Sequence, residues 1–140
     1  MAHQCKNLML KCMDFRLQNN TLNWLKENGY FGDCDVISNA GSGKALVDES
    51  PDTKEFILKE IGLSYEKHGV RNIIIIHHSD CGAYSSYNFA NEEEEKTKQI
   101  EDMHSEEAII KERFPDVTVI KVWAQMKDPD GNNVDFQAID

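Results

Sequence analysis

Four consecutive isoleucines, Ile73–Ile76 within RNIIIIHH, constrain this chain more than any other segment. Side chains of a strand alternate between two faces, so a run that is apolar at every position is buried on both. Strands covered on both faces belong to parallel sheets, where crossover connections lay helices over each side. The same four residues are the longest unbroken apolar run in the chain. A membrane span needs ~18, so no membrane partner is expected.

The neighbouring segments alternate in the way a parallel sheet requires. Asn7–Cys12 (NLMLKC) reads as a first strand, and Thr21–Glu27 as a short helix with Leu22 and Leu25 facing the core and Gly29 as its stop. Asp35–Ser38 is a short second strand. Ser50-Pro51-Asp52 starts a helix, with Pro51 suited to the first helical position. Phe56, Ile57, Ile61 and Tyr65 form its apolar stripe, and Gly69 closes it. Arg71–His77 is the third strand, Val117–Ala124 the fourth, and the turn cluster Asp128–Asn133 leads into a short edge strand near Val134–Gln137. The expected fold is α/β, a doubly wound and mainly parallel sheet of order 2-1-3-4 with a C-terminal edge hairpin strand and helices on both faces. No linker or internal repeat interrupts it, so residues 1–140 read as a single domain.

Charge narrows the function. Twenty-five Asp and Glu against 15 Lys and Arg give a net charge of −10, and a nucleic-acid binder needs a basic face. Half of that excess sits in Glu92–Arg113, where nine acids face four bases. Ile100, Met103, Ala108, Ile109 and Ile110 recur there at helical spacing, which predicts an amphipathic helix with a solvated acidic face. Met1-Ala2-His3-Gln4 opens no signal-peptide h-region. A cytoplasmic protein with four reduced cysteines is expected, and such cysteines more often bind metal or react than cross-link.

The placement of those cysteines carries the chemistry. Cys12 ends the first strand, and Cys81 lies just beyond the third, three residues after His78. Open α/β sheets bind ligands beyond the carboxyl ends of their strands, where the strand order reverses; in a 2-1-3-4 order that is between strands one and three. Any one of these residues could be a packed thiol or a hydrogen-bonded imidazole. Together, two thiols and an imidazole suit Zn²⁺ and leave a fourth tetrahedral position for water or substrate. Cys12, Asp14 and Arg16 occupy alternate positions, so an extended backbone would point all three the same way. Arg16 could then hold Asp14 ionised, and Asp14 could accept a hydrogen bond from metal-activated water or ligate the metal itself.

Cys12-x-Asp14-x-Arg16 followed by His78-x-x-Cys81-Gly82 resembles the zinc signature of the β-class carbonic anhydrases. Asn39-Ala40-Gly41 and the closing Val122–Gly131 (VWAQMKDPDG) are similar to further elements of that family, so the resemblance extends over most of the chain. It implies Cys12, His78 and Cys81 as zinc ligands and Asp14–Arg16 as the catalytic dyad. It also implies a zinc lyase acting on CO₂ and bicarbonate, assembled as a homodimer or a multiple of dimers. Phe15 departs from a serine common in the family, His77 from a glycine, Ser38 from an arginine and Ser42 from an asparagine. Two alternatives follow from the same residues. One is hydrolysis of COS or CS₂ on the same zinc; the other is a non-catalytic zinc-binding module whose open position Asp14 closes.

The remaining motifs read as structural. Gly41-Ser42-Gly43-Lys44 lacks both the earlier glycine and the following Ser/Thr of a phosphate loop. Cys5 and Cys34 fall at the far end of the sheet and read as packing thiols. His3, His68 and His104 read as surface or helix-end residues, and Trp24 and Trp123 as core or interface anchors.

Overall fold

The computed structural model describes residues 3–48 and 50–140. Its strands β1 (Asn7–Cys12), β2 (Cys34–Asn39), β3 (Asn72–His78), β4 (Thr118–Met126) and β5 (Val134–Ile139) form one sheet of order β2-β1-β3-β4-β5. β1 runs parallel to both β2 and β3, β3 is parallel to β4, and only β5 is antiparallel. The expected order and the edge hairpin are both present.

The isoleucine run explains the two-sided core. Ile73 and Ile75 pack with Leu8, Leu10, Ile37 and Trp123 on one face, and Ile74 and Ile76 with Met9, Val122 and Ala124 on the other. All four are at most 3% exposed, and each such burial is worth about 1.5–3 kcal/mol. The helices are α1 (Gln18–Glu27), α2 (Lys44–Val47), α3 (Pro51–Lys67) and α4 (Glu92–Arg113). Leu46 of α2, Ile57, Leu58 and Ile61 of α3, and Met103 and Ile110 of α4 cover the first face. Leu25 and Trp24 of α1 cover the second.

Three of the expected apolar-face positions lie outside: Ala108 of α4 is exposed, and two larger residues join it. Leu22 and Phe56 are exposed, at 42% and 60%. α1 buries Thr21 and Leu25, four residues apart, so Leu22 is carried past the sheet. α3 buries Ile57, Leu58, Ile61 and Ser64, a stripe that leaves Phe56 on its solvent side. Tyr65 packs at its edge against Phe114, the rings tilted by 39° with centroids 5.0 Å apart. Among the described residues no helix is long and apolar enough to cross a membrane.

Two connections shape the carboxyl end of the sheet. Asp128 closes the β4–β5 turn by accepting from the backbone N–H groups of Asp130, Asn132 and Asn133 at 2.8–3.0 Å. Gly131 stands in that turn at φ +73° against the Arg16 backbone, where a Cβ would collide. The loop after β2 approaches the centre of α4 at Gly43, whose missing side chain leaves room for the carboxylate of Glu106.

Candidate functional site

β1 and β3 deliver Cys12 and His78 side by side, and the turn through Ser79 and Asp80 returns Cys81 to meet them. The two sulfurs are 3.9 Å apart, and the three donor atoms all lie within 4.8 Å of one another. Cys12, His78 and Cys81 are 8%, 1% and 4% exposed. His78 Nδ1 donates to the Ser79 carbonyl at 2.6 Å. A carbonyl only accepts, so the proton is on Nδ1 and the lone pair on Nε2 turns inward. Nε2 has no hydrogen-bond partner, which costs about 1–3 kcal/mol in a buried site unless something else takes the lone pair. A tetrahedral zinc with Zn–S bonds of ~2.3 Å holds two sulfurs ~3.8 Å apart. The thiol spacing and the unpartnered imidazole nitrogen both fit zinc. The Cys81 thiol, together with His78, draws Cys12 down to about 3, and the same contact pushes Cys81 up.

Asp14 and Arg16 meet beside this group, by a different route from the expected one. The chain does not stay extended: Asp14 caps a 3₁₀ turn over Phe15–Leu17, accepting from Arg16 N at 2.9 Å. The turn wraps the Arg16 guanidinium back onto the carboxylate. Nε donates to Oδ1 and Oδ2 at 3.1 and 3.2 Å, and Nη2 donates to Oδ2 at 2.7 Å. Arg16 is itself fixed by Asp80 Oδ2 at 3.0 Å, the Asp80 carbonyl at 2.9 Å and the Pro129 carbonyl at 3.2 Å. These bonds hold the Asp14 carboxyl below the usual carboxylate range. Its Oδ2 lies 3.9 Å from His78 Nε2, so all five expected residues converge.

A polar layer behind them was not anticipated. Glu95 accepts from Asp80 N at 2.8 Å and Cys81 N at 3.0 Å, pinning the Cys81 loop. Gln99 donates to Glu95 at 3.0 Å and to the His78 carbonyl at 2.9 Å. Its carbonyl oxygen accepts from His77 Nδ1 at 2.9 Å, and His77 Nε2 lies 2.9 Å from Glu106. Burial pushes Glu106 up; it works to pull His77 down, but Glu106 and Gln99 outweigh it. Strand alternation sends His77 to the α4 side of the sheet and His78 to the opposite one, within reach of Cys12 and Cys81, so His77 points away from the donor group. Tyr84 donates to Asp102 at 2.7 Å. The acidic face of α4 is therefore only partly solvated, because Glu95, Asp102 and Glu106 are buried. Their spacing with Gln99 (positions 95, 99, 102 and 106) follows a helical stripe.

A cleft of about 1220 Å³ opens over the group, lined by apolar Ala40, Phe89 and Met126 beside Asp14 and Arg16. Phe15 is 85% exposed and stands at the mouth without filling it. Ser42 sits at φ +59° and donates to the Leu10 carbonyl at 3.1 Å, fastening the loop after β2 to β1.

Comparison with known proteins agrees with this architecture. A family model described as "Putative carbonic anhydrase" matches residues 2–132. An uncharacterized protein of Rickettsia bellii is 30% identical over 122 residues, covering 84% of this chain and 74% of its own. β-Carbonic anhydrase isoform I from Trichomonas vaginalis superimposes with a TM-score of 0.61 at 20% identity, over 96% of this chain and 83% of that one. A tetrameric β-carbonic anhydrase from Sordaria macrospora does so with a TM-score of 0.52 at 14% identity, over 99% and 84%. At such identities the two structures speak for the fold.

Proposed function

Since the chain belongs to the carbonic anhydrase family that this model describes, we propose that it is a zinc enzyme interconverting CO₂ and bicarbonate. The observation that carries the reading is the buried Cys12–His78–Cys81 group, with an unpartnered imidazole nitrogen facing an arginine-locked carboxylate. Cys12, His78 and Cys81 would hold the zinc, which when bound lowers the pKa of water toward ~7 and makes it a nucleophile at neutral pH. Asp14 Oδ2 accepts a hydrogen bond from the attacking water and aims its free lone pair into the cleft. Arg16 holds Asp14 through Nε and Nη2, which favours a carboxylate that would accept a hydrogen bond over one that would ligate the metal. The Ser79 carbonyl orients His78, and Glu95 holds the Cys81 backbone through two amides. Ala40, Phe89 and Met126 give linear, apolar CO₂ a wall without competing hydrogen bonds. We further propose a dimer or multiple of dimers in the cytoplasm, with exposed Met13 and Phe15 at the cleft mouth as surface that a second copy would cover.

Metal content and CO₂ hydration measured on one preparation, across pH ~7 to ~9 where metal-activated water titrates, test the proposal. Stoichiometric zinc with hydration is expected. Zinc with COS turnover in place of hydration would transfer the reading to a hydrolase, and protein that binds no zinc at all would overturn it. Asp14→Asn is expected to keep its zinc and lose about 10²-fold in kcat/KM, the usual worth of a positioned proton acceptor. Unchanged kcat/KM would remove Asp14 from the mechanism.

A further inference from the structure

A second set of donors lies at the opposite end of the sheet. Cys5 precedes β1, Asp35 is the second residue of β2, and His68 caps the C-terminus of α3. The topology brings them together. β1 and β2 are parallel neighbours that start at the same end, with Asn7 beside Cys34, and α3 returns to that end. Asp35 lies on the same face of β2 as Ile37, whose cluster α3 covers, and Cys5 packs against that cluster too. One sulfur, one carboxylate oxygen and one imidazole nitrogen thus lie within 4.8 Å of one another, each half-buried and within reach of solvent.

The present contacts arrange the donors without sealing them off. His68 Nδ1 is 2.6 Å from Asp35 Oδ2, which also accepts from Ser64 Oγ at 2.7 Å. The Cys5 amide donates to the His68 carbonyl at 3.0 Å, holding the sulfur near the ring. Burial, then Asp35 and more weakly Asp33, push the Cys5 thiol up, so a bound cation would offset two neighbouring carboxylates. Cys34, although adjacent in sequence to Asp35, packs on the other face of the sheet.

We propose that Cys5, Asp35 and His68 form a second site for a zinc-class divalent ion, with solvent completing the coordination. A thiolate and an imidazole disfavour Mg²⁺ and Ca²⁺, whereas the mixed sulfur, nitrogen and oxygen set suits Zn²⁺ and its spectroscopic substitute Co²⁺. On uptake the metal–sulfur bond replaces the Cys5 S–H bond and that proton leaves to buffer. The His68 Nδ1–H···Asp35 hydrogen bond opens, and the ring then carries its one proton on Nε2, so that Nδ1 and the Asp35 oxygen can both bind the ion. Thiolate and carboxylate then balance the two positive charges. The ion would tie the segment before β1, strand β2 and the end of α3 to one point.

The proposal is independent of the catalytic reading and is tested by titrating metal-free protein with Co²⁺ under reducing conditions, following thiolate-to-cobalt absorption. Two equivalents per chain are expected, one of them lost in Cys5→Ser and in His68→Gln and retained in Cys34→Ser. The Cys5-dependent equivalent is expected whether or not the buried centre turns over CO₂. CO₂ hydration is expected to be unchanged in all three variants. If Cys5→Ser fails to fold by circular dichroism, His68→Gln decides, since its side chain is 39% exposed. Wild-type protein that binds no cobalt through Cys5, or a second equivalent that persists in both Cys5→Ser and His68→Gln, would overturn the site.

Discussion

Cys81→Ser is expected to abolish CO₂ hydration at neutral pH, with a fall of at least ~10⁴-fold, while the sheet stays folded. The activity loss follows from the metal: without it the pKa of water reverts from ~7 to ~15.7, and no side chain in the cleft replaces that shift. The affinity loss follows from the ligand set. Structural zinc sites gain about 10–16 kcal/mol; shared over three or four ligands, this makes the loss of one thiolate cost roughly 10²–10⁴-fold in binding. The fold is expected to survive because serine fills nearly the same volume, and Cys81 belongs to a small cluster with Cys12, Tyr84, Ala83 and Phe89, apart from the two main cores. Zinc content, far-UV circular dichroism and stopped-flow hydration on one sample separate the three effects. A folded variant with full zinc occupancy would show that the ligand set is wrongly chosen.

The converging residues were legible because their positions follow from backbone rules. A fully apolar strand fixes a parallel sheet, and strand ends in such a sheet fix where Cys12 and His78 must lie. Asp14 and Arg16 were also legible as a pair, although the chain joins them through a 3₁₀ turn and not through extended alternation. What stayed hidden was written in residues that normally mark a surface. Glu95, Asp102 and Glu106 stand among acids that are solvated, and nothing local separates Glu95 from Glu94. Their partners lie 14 to 29 residues away, in the Cys81 loop, Tyr84 and His77. Such burial becomes visible only when β3 and α4 are packed. The Cys5–Asp35–His68 cluster was hidden for a related reason, since its members come from three elements separated by about thirty residues each.

Of those hidden residues, Glu106 has the largest expected effect on stability. Glu106→Ala is expected to destabilise the protein by about 3–5 kcal/mol, the usual cost of removing one partner from a buried ionisable pair, and to lower Tm by roughly 10–20 °C. Both side chains are 0% exposed, so His77 cannot turn to water when its partner goes. The truncation also opens a hole at Gly43, whose bare backbone lies against the carboxylate. Replacing both members by apolar residues of similar size, as in His77→Leu with Glu106→Met, is expected to recover part of the loss, because neither ionisable partner is then left alone and only Gln99 Oε1 loses its donor. The cycle is read by urea denaturation. A cost below ~1 kcal/mol for Glu106→Ala would show that the pair contributes little to folding. A second effect follows through Gln99, which spans from His77 to the His78 carbonyl. With His77 unanchored, Gln99 loses one of its two fixed ends. Zinc affinity is then expected to fall by ~10–100-fold, as when outer-shell partners of metal ligands are removed. Unchanged affinity in the destabilised variant would restrict the layer behind the centre to holding α4 on the sheet.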